Sequence, residues 1–353
     1  MKYTFAVRFL CTPALLLLAG AVPVLRAETC TTQSALTPAD RDHLASAARS
    51  LAQEVVSNNA AALRTSAAPD LAKDFGALQY LVAVTAPKLA QDVPVVEQVY
   101  LLDASNLKKN ADGSNPDAQF FCSLNRTTME AEFDIHALPP GKYAFAIVNL
   151  NPPSSSRTPT PWQLSFLLRQ DSSTDPQAPW QLAGLYPHPL TAGGHDGLWF
   201  WTQGREMAKD KQPWNAWLDY QEAQKLLQPA DFVLSTHLDK LHTEMTSAAP
   251  SALAEGINVD TPLIVKAADG TEYHFIGLNL DDSLNPDSID VAAHLRADPL
   301  TDQAAARKRN DAAAAALLAA YPELRKPFHG VWIYAESPGQ PPFATEQPMS
   351  DIK

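Results

Sequence analysis

Lys2 and Arg8 precede an apolar run from Ala14 to Val22, and Leu25-Arg26-Ala27 ends in a small residue before Glu28. This is the three-part layout of a cleavable secretory leader, its apolar run too short for a permanent membrane span. The consequence for folding is chemical. Residues 1–27 leave with Cys11, so the mature chain folds in an oxidising compartment, periplasmic or extracellular, with Cys30 and Cys122 as its remaining cysteines. Two cysteines allow one bridge. It would tie the N-terminus to the apolar Phe120-Phe121-Cys122 segment and close a loop of roughly ninety residues, worth ~4 kcal/mol in lost unfolded-chain entropy. The alternative is two unpaired thiols, one in a loose tail and one in a core. A lipid anchor is not expected, because Ala21 stands where an acylated cysteine would follow Leu18-Ala19-Gly20.

Loss of the leader also removes three basic residues, so the formal charge of −12 becomes −15, with 24 basic against 39 acidic side chains. A chain this acidic is repelled by nucleic-acid phosphates and anionic membrane surfaces, which excludes both as partners. With 46% hydrophobic residues it can build real cores. No second segment is apolar for long enough to span a membrane, which predicts a soluble mature protein.

Thr37-Pro38-Ala39-Asp40 reads as a helix start, with Thr37 as N-cap and Asp40 in the capping-box position. Leu44, Ala48, Leu51 and Val55 follow as one apolar stripe. A second helix is expected from Pro69-Asp70, with Leu71, Phe75, Leu78 and Val82 on its buried face. From residue 95 the period becomes strand-like, and six strands are expected at 95–103, 118–124, 129–138, 142–151, 162–170 and 180–186, separated by turn-forming stretches such as Pro139-Pro140-Gly141. Helices followed by hairpin-linked strands indicate an α+β domain over 28–192 with a curved antiparallel sheet. The order resembles the NTF2-like, cystatin-type α+β roll, on the stretch Leu51 to Leu71 and the closing pair Trp162–Leu168 and Trp180–Leu185. That resemblance implies helices lying in the concave face of the sheet; six strands exceed the usual four or five.

After Gly193-Gly194, the residues Phe200, Gly204, Met207, Ala216, Tyr220, Ala223 and Leu226 fall at spacings that resemble a tetratricopeptide repeat. Gln203, Phe200 and the position of Pro229 depart from the pattern, and no second copy is found. A lone repeat cannot bury its own face, so the hairpin and a third helix expected from about Ala230 to Met245, together spanning 193–246, must pack on a neighbouring domain. Residues 247–336 read as a linker and then a small β-sheet with one covering helix, from about Thr301 to Tyr321. Ile289, Val291, Ala293 and Leu295 alternate with Asp290, Ala292, His294 and Arg296, giving one core face and one mixed face. Residues 337–353 read as a tail. The whole layout is similar to that of uncharacterised secreted bacterial proteins, a likeness that implies no activity.

The catalytic signatures are missing: no Gly-x-Ser-x-Gly elbow, no phosphate loop, no Cys-x-x-Cys and no dinucleotide fingerprint. No catalytic residue, metal site or cofactor is assigned. His237 and His242 are five apart, about 140° around a helix, and read as solvated. Asp281-Asp282 with Asn279 and Asn285 offer oxygen ligands for calcium but lack a known loop spacing, so a turn is the preferred reading. The densest chemistry sits where two domains meet: His188, His195, Asp196, Trp199, Trp201 and Arg205. Two readings are open for it. A ligand cleft uses flat apolar walls with a few polar groups, whereas a structural clamp buries both indoles against the N-terminal domain and pairs Arg205 with an acid. The clamp is preferred, because a lone repeat needs a surface to bury against; His329 and Trp332 receive the same reading. The expected function is an exported, acidic, non-enzymatic binding or assembly protein for an unknown protein or small molecule. The alternative is a small-molecule hydrolase or isomerase using the junction cleft or the roll interior, where Glu132, Asp134 and His136 are the titratable candidates.

Overall fold

A computed structural model describes residues 28–89, 93–124, 128–151, 160–170, 178–283, 287–299 and 301–352. Residues 1–27, read above as a leader, and Asn285 lie outside the described residues. The chain begins with a short strand, β1 (Thr29–Thr32), and four helices, α1 (Pro38–Val56), α2 (Ala60–Thr65), α3 (Pro69–Lys73) and α4 (Gly76–Thr85). The cap of α1 is the expected one: the Asp40 amide donates to Thr37 Oγ1 at 3.2 Å, and the Thr37 hydroxyl donates to the Asp40 carboxylate at 2.7 Å. The second expected helix is in fact two, broken at Asp74-Phe75, and α2 had no counterpart in the sequence reading. Asn59 starts α2 by accepting from the Ala62 amide.

Six long strands follow, β2 (Val93–Asp103), β3 (Ala118–Leu124), β4 (Thr128–Ile135), β5 (Lys142–Asn151), β6 (Trp162–Gln170) and β7 (Trp180–Pro189). A two-residue pair, β8 (Thr191–Ala192) and β9 (His195–Asp196), leads into α5 (Gly197–Lys209) and α6 (Pro213–Leu227). Residues 230–235, expected to be helical, instead carry a short strand, β10 (Val233–Leu234), and the third helix, α7 (Thr236–Ala248), starts only there. Pro229 and the Ser235 side chain, which caps α7 by accepting from Leu238, set those limits.

The large sheet has eight strands in the order β10-β4-β3-β1-β2-β5-β6-β7. It is curled. In a flat sheet β4 and β5, four places apart, would be separated by about 19 Å at the usual strand spacing. Yet Phe133 of β4 and Phe145 of β5 meet edge to face at 5.2 Å. The interior of the curl is an aromatic chain from Tyr100 through Phe133, Phe145 and Phe232 to Tyr186, with neighbouring ring centroids 5.1–5.6 Å apart. Cys30 and Cys122 are bonded in this interior, their Cα atoms 5.0 Å apart, as the count of cysteines required. The alternate residues Ala144, Ala146, Val148, Leu164, Phe166 and Leu168 point the other way and pack on α1, α2 and α4. The helices therefore lie outside the curl, whereas the roll resemblance implied that they fill its concave side.

A second sheet holds β11 (Leu263–Lys266), β12 (Glu272–Asp281), β13 (Asp290–Arg296), β14 (Gly330–Glu336) and β15 (Phe343–Pro348), in that order, with α8 (Gln303–Ala320) between β13 and β14. β13 and β14 are parallel, joined by the α8 crossover, and the other pairs are antiparallel. The expected tail thus supplies the edge strand β15, and Met349 and Ile352 are buried beyond it. One face of the sheet, carrying Phe275, Leu278, Leu280, Val291, Ala293 and Ile333, forms a single core with α8 and with α5, α6 and α7. The helical hairpin does pack on a neighbour, and its main partner is this C-terminal sheet.

The two hairpin helices approach closely where small residues were expected. A Cβ added to Gly204 would sit 2.9 Å from the Tyr220 ring, which is itself buried. Gly204→Ala should therefore cost about 1–3 kcal/mol by overpacking, read as a lower midpoint in urea with an unchanged slope. Replacing Cys30 and Cys122 together by alanine should cost more, about 2–5 kcal/mol, and peptide mass spectrometry without reductant should find the two cysteines in one cross-linked species.

Candidate functional site

The structure does not gather the junction residues into one site. Asp196 is the N-cap of α5, accepting from the Trp199 amide at 2.8 Å. His195 stacks on Trp199 at 3.7 Å, and Trp199 stays 37% exposed, so it is not the buried clamp that was expected. Trp201 is buried and donates its indole N–H to Glu244 at 2.8 Å. Arg205 grips the same carboxylate with Nε at 2.7 Å and Nη2 at 3.0 Å, its guanidinium 4.5 Å from the Trp201 ring centroid. That bidentate contact holds the Glu244 carboxyl below the usual carboxylate range. Arg205 is paired with an acid, but the contact fastens α5 to α7 within the helical trio and does not clamp both indoles onto the N-terminal domain as expected.

His188 is placed elsewhere. It lies on the open edge of the large sheet, where β7 faces α6, and lines a cavity of about 570 Å³. The walls come from four elements: Leu81 of α4, Leu185 to His188 of β7, Gln221, Gln224 and Lys225 of α6, and the 228–231 segment, with Met245 of α7 closing one side. Pro187 and Pro189 offer no backbone N–H, which keeps a further strand from adding to this edge. Gln221 and Gln224 reach it because their spacing of three puts them on one face of α6, and Gln228 extends that face.

Apart from the exposed Asp231 carboxylate, the polar groups here are neutral or paired. Burial pushes the His188 imidazole down to about 4, so it is uncharged near neutrality and offers one donor and one acceptor. Burial, and then the charge of Asp231, raise the Tyr186 phenol. Gln224 donates to Gln228 at 3.0 Å, and Gln228 donates in turn to the Asp231 and Val233 carbonyls. Lys225 bonds Glu222 at 2.9 Å. Gln221 differs: its Oε1 is buried and has no hydrogen-bond partner.

Two other cavities flank the same connecting segment, which carries Phe232 into the curl. One, of about 370 Å³, is lined by Tyr100, Glu130, Ala131 and Ile147 of the sheet and by Trp201 and Leu238 of the helices. Inside it Tyr100 Oη and Gln98 Nε2 both donate to Glu130 Oε1, at 3.0 and 2.7 Å. Burial and that carboxylate raise the Tyr100 phenol. The other, of about 560 Å³, touches Asp134 and His136 together with Tyr186. His136 is largely exposed and pairs with Asp117 at 3.2 Å, and Glu132 accepts from Gln119 at 2.8 Å. These three alternate with the buried Ala131, Phe133 and Ile135, as their strand period requires. His237 and His242 are exposed on α7. Asp281 is the last residue of β12 and accepts from the Ser283 amide of the turn that follows, while Asp282 accepts from the Gly193 amide and ties the C-terminal sheet to the start of the helical trio.

Neither Gln221 nor Tyr186 was a candidate on sequence grounds. A glutamine on an amphipathic helix carries no signal until the opposing strand is known. Asp290, His329 and Glu346 also come together only in the fold, at one end of three adjacent strands of the C-terminal sheet.

His188 and Asp219, a buried acid of α6, make opposite contributions to the pH dependence of stability. The unfolded chain protonates a histidine at about 6.5, whereas His188 resists until about 4, so stability is lost as pH falls through that window. Asp219 is raised to about 7, by burial and then by Glu222, so it keeps its proton when folded and stability is lost as pH rises from about 4 to 7. Each contributes of order 2–3 kcal/mol. His188→Gln should make the protein gain stability from pH 7.5 to 4.5 relative to the native chain. Asp219→Asn should make it lose stability over the same interval, both read from urea midpoints.

Comparison with protein-family models, with curated proteins and with solved structures finds no match to this chain.

Proposed function

We propose that this chain is an exported, acidic, non-enzymatic binding protein that takes a small neutral ligand in the cavity between β7 and α6. The observation that carries the reading is Gln221, which lines the cavity and whose buried Oε1 has no hydrogen-bond partner. An unsatisfied buried acceptor costs about 1–3 kcal/mol, and a ligand N–H or O–H is what would remove that cost. The remaining lining fits the same chemistry. Three glutamine amides, a neutral imidazole and a phenol supply donors and acceptors without net charge, and Leu81, Leu185, Pro187, Pro229 and Met245 supply apolar wall. The single cation in the lining, Lys225, is held by Glu222, so an anionic ligand gains little there. Export through the leader expected at residues 1–27 would put the site in the periplasm or outside the cell.

Gln221→Leu tests this in two directions. Without ligand the variant should melt at or above the temperature of the native protein, since an orphaned acceptor is replaced by an apolar group of similar size. In a thermal-shift screen of neutral sugars, polyols and amides, a compound that stabilises the native protein should lose that effect on Gln221→Leu and on His188→Leu. A compound that stabilises all three proteins equally would remove this cavity from the reading.

A further inference from the structure

The exposed face of the C-terminal sheet carries a separate constellation. Asp290 opens β13, His329 immediately precedes β14, and Glu346 lies on β15, opposite Trp332 of β14. One donor atom from each lies within 4.8 Å of the other two. His329 is held by its backbone on both sides: its amide donates to the Ile289 carbonyl at 2.8 Å, and its carbonyl accepts from the Met349 amide at 2.9 Å. Its Nδ1 faces Asp290 Oδ1 at 3.1 Å. The Trp332 indole N–H donates to the other Asp290 oxygen at 3.1 Å, which fixes the plane of that carboxylate.

Three observations make this more than a surface group of charges. Asp290 is 3% exposed, so a carboxylate is held inside the sheet end rather than in water. Glu346 Oε1 is buried and has no hydrogen-bond partner, although it points toward a second carboxylate. Between the two acids lies Gly330, where an added Cβ would come within 2.8 Å of Glu346 Oε1 and 3.1 Å of Asp290 Oδ1. The missing side chain is what allows the two carboxylates to converge over β14. An unpartnered acceptor thus stands beside a buried acid and a histidine nitrogen.

We propose that Asp290, His329 and Glu346 bind one first-row divalent transition ion, with Zn²⁺ the best match. One nitrogen and two carboxylate oxygens suit an ion of intermediate softness, whereas Ca²⁺ takes six to eight oxygens and Mg²⁺ keeps most of its waters. Bonds of about 2.0–2.2 Å to such ligands place tetrahedral donor atoms roughly 3.4 Å apart. The His329–Asp290 separation of 3.1 Å is close to that spacing, and a Glu346 oxygen lies within 4.8 Å of both donor atoms. Three protein ligands leave one position open to water or an exogenous ligand, unlike a closed four-ligand structural site. Trp332 serves as the outer hydrogen-bond partner that orients Asp290. This site is independent of the cavity between β7 and α6.

Calorimetric titration of the chelator-stripped protein, produced from its full sequence, with ZnCl₂ tests the assignment. One equivalent should bind, with excess Mg²⁺ or Ca²⁺ unable to compete. His329→Ala and Glu346→Gln should each weaken binding by at least about 100-fold, beyond the ~10–100-fold typical of losing an outer-shell partner; Trp332→Phe should fall in that smaller range. His329→Ala also takes a hydrogen bond from the buried Asp290 and should lower the melting temperature in chelator. Glu346→Gln instead alters an oxygen that has no hydrogen-bond partner and should melt at or above the native temperature, which separates loss of a ligand from loss of the fold. His294→Ala is the control, since His294 already spans Glu336 and Asn279 at 2.6 and 3.0 Å and should leave the affinity unchanged. Absence of Zn²⁺ binding, or binding undiminished in His329→Ala, would overturn the site and leave an Asp290–His329 ion pair.

Discussion

Four residues hold the large sheet together. β1 is inserted between β2 and β3, antiparallel to the first and parallel to the second, so the β3–β4 hairpin reaches the rest of the sheet through β1. The two seams are unequal. Against β2 all four residues of β1 are in register, but against β3 a single pair, Thr29 with Phe121, is aligned. The Cys30–Cys122 bond crosses that weaker seam one residue further on. A covalent link replaces hydrogen bonds where the ladder is too short to supply them. The fold therefore depends on the redox state in which it forms, because reduction leaves the hairpin joined by one short parallel contact and by side-chain packing.

The curl that follows from this seam determines where cavities form. Strands at opposite ends of the order come face to face, and the space between them is too wide for their own side chains to fill. Phe232, on a segment between two helices, enters from outside and completes the aromatic chain between Phe145 and Tyr186. One inserted ring cannot match the whole opening. Residual volumes remain on both sides of the segment, one against β7 and α6, another against Trp201 and Tyr100. The cavities are thus a product of closing a curled sheet with a foreign segment.

Much of the fold was legible because local rules and tertiary contacts agreed. The strands at 118–124, 142–151 and 162–170 have the limits their alternation and turns dictate, and Thr37 caps α1 as its sequence requires. The failures have specific causes. β10 and β8 are two residues long, shorter than any period that alternation can reveal. β15 was read as tail because Pro341, Pro342 and Pro348 crowd it, yet an edge strand tolerates proline at its ends. The junction cluster dissolved because its members had local duties: Asp196 caps a helix and Arg205 pairs one turn of α5 with α7. Conversely, Asp290, His329 and Glu346 are separated by a helix and a strand, so no spacing rule could join them. Parallel pairing across the α8 crossover does so, by placing the start of β14 beside the start of β13.

Helix α6 explains why these parts form one object. Ten of its fifteen residues are buried, which amphipathic periodicity alone does not produce. One face, with Ala216, Tyr220 and Ala223, receives α5 at glycine-close distance. A second, through Trp214 and Asn215, docks on the end of α8: the Trp214 amide donates to Glu323 Oε1 and the Asn215 amide group to the Glu323 carbonyl, both within 2.9 Å. The third presents Gln221, Gln224 and Lys225 to β7. A helix with ten of fifteen residues buried has little solvent face on which to place its polar residues, Lys225 being exposed, so most of the others must find a partner inside. Glu222 finds Lys225. Asp219, with Glu222 as its nearest charge, keeps its proton instead. Gln221 Oε1 has found none within the protein. Gln221 also lines the cavity between β7 and α6, so an α6 side-chain oxygen left buried without a partner belongs to a residue at the edge of the space that the curled sheet leaves unfilled.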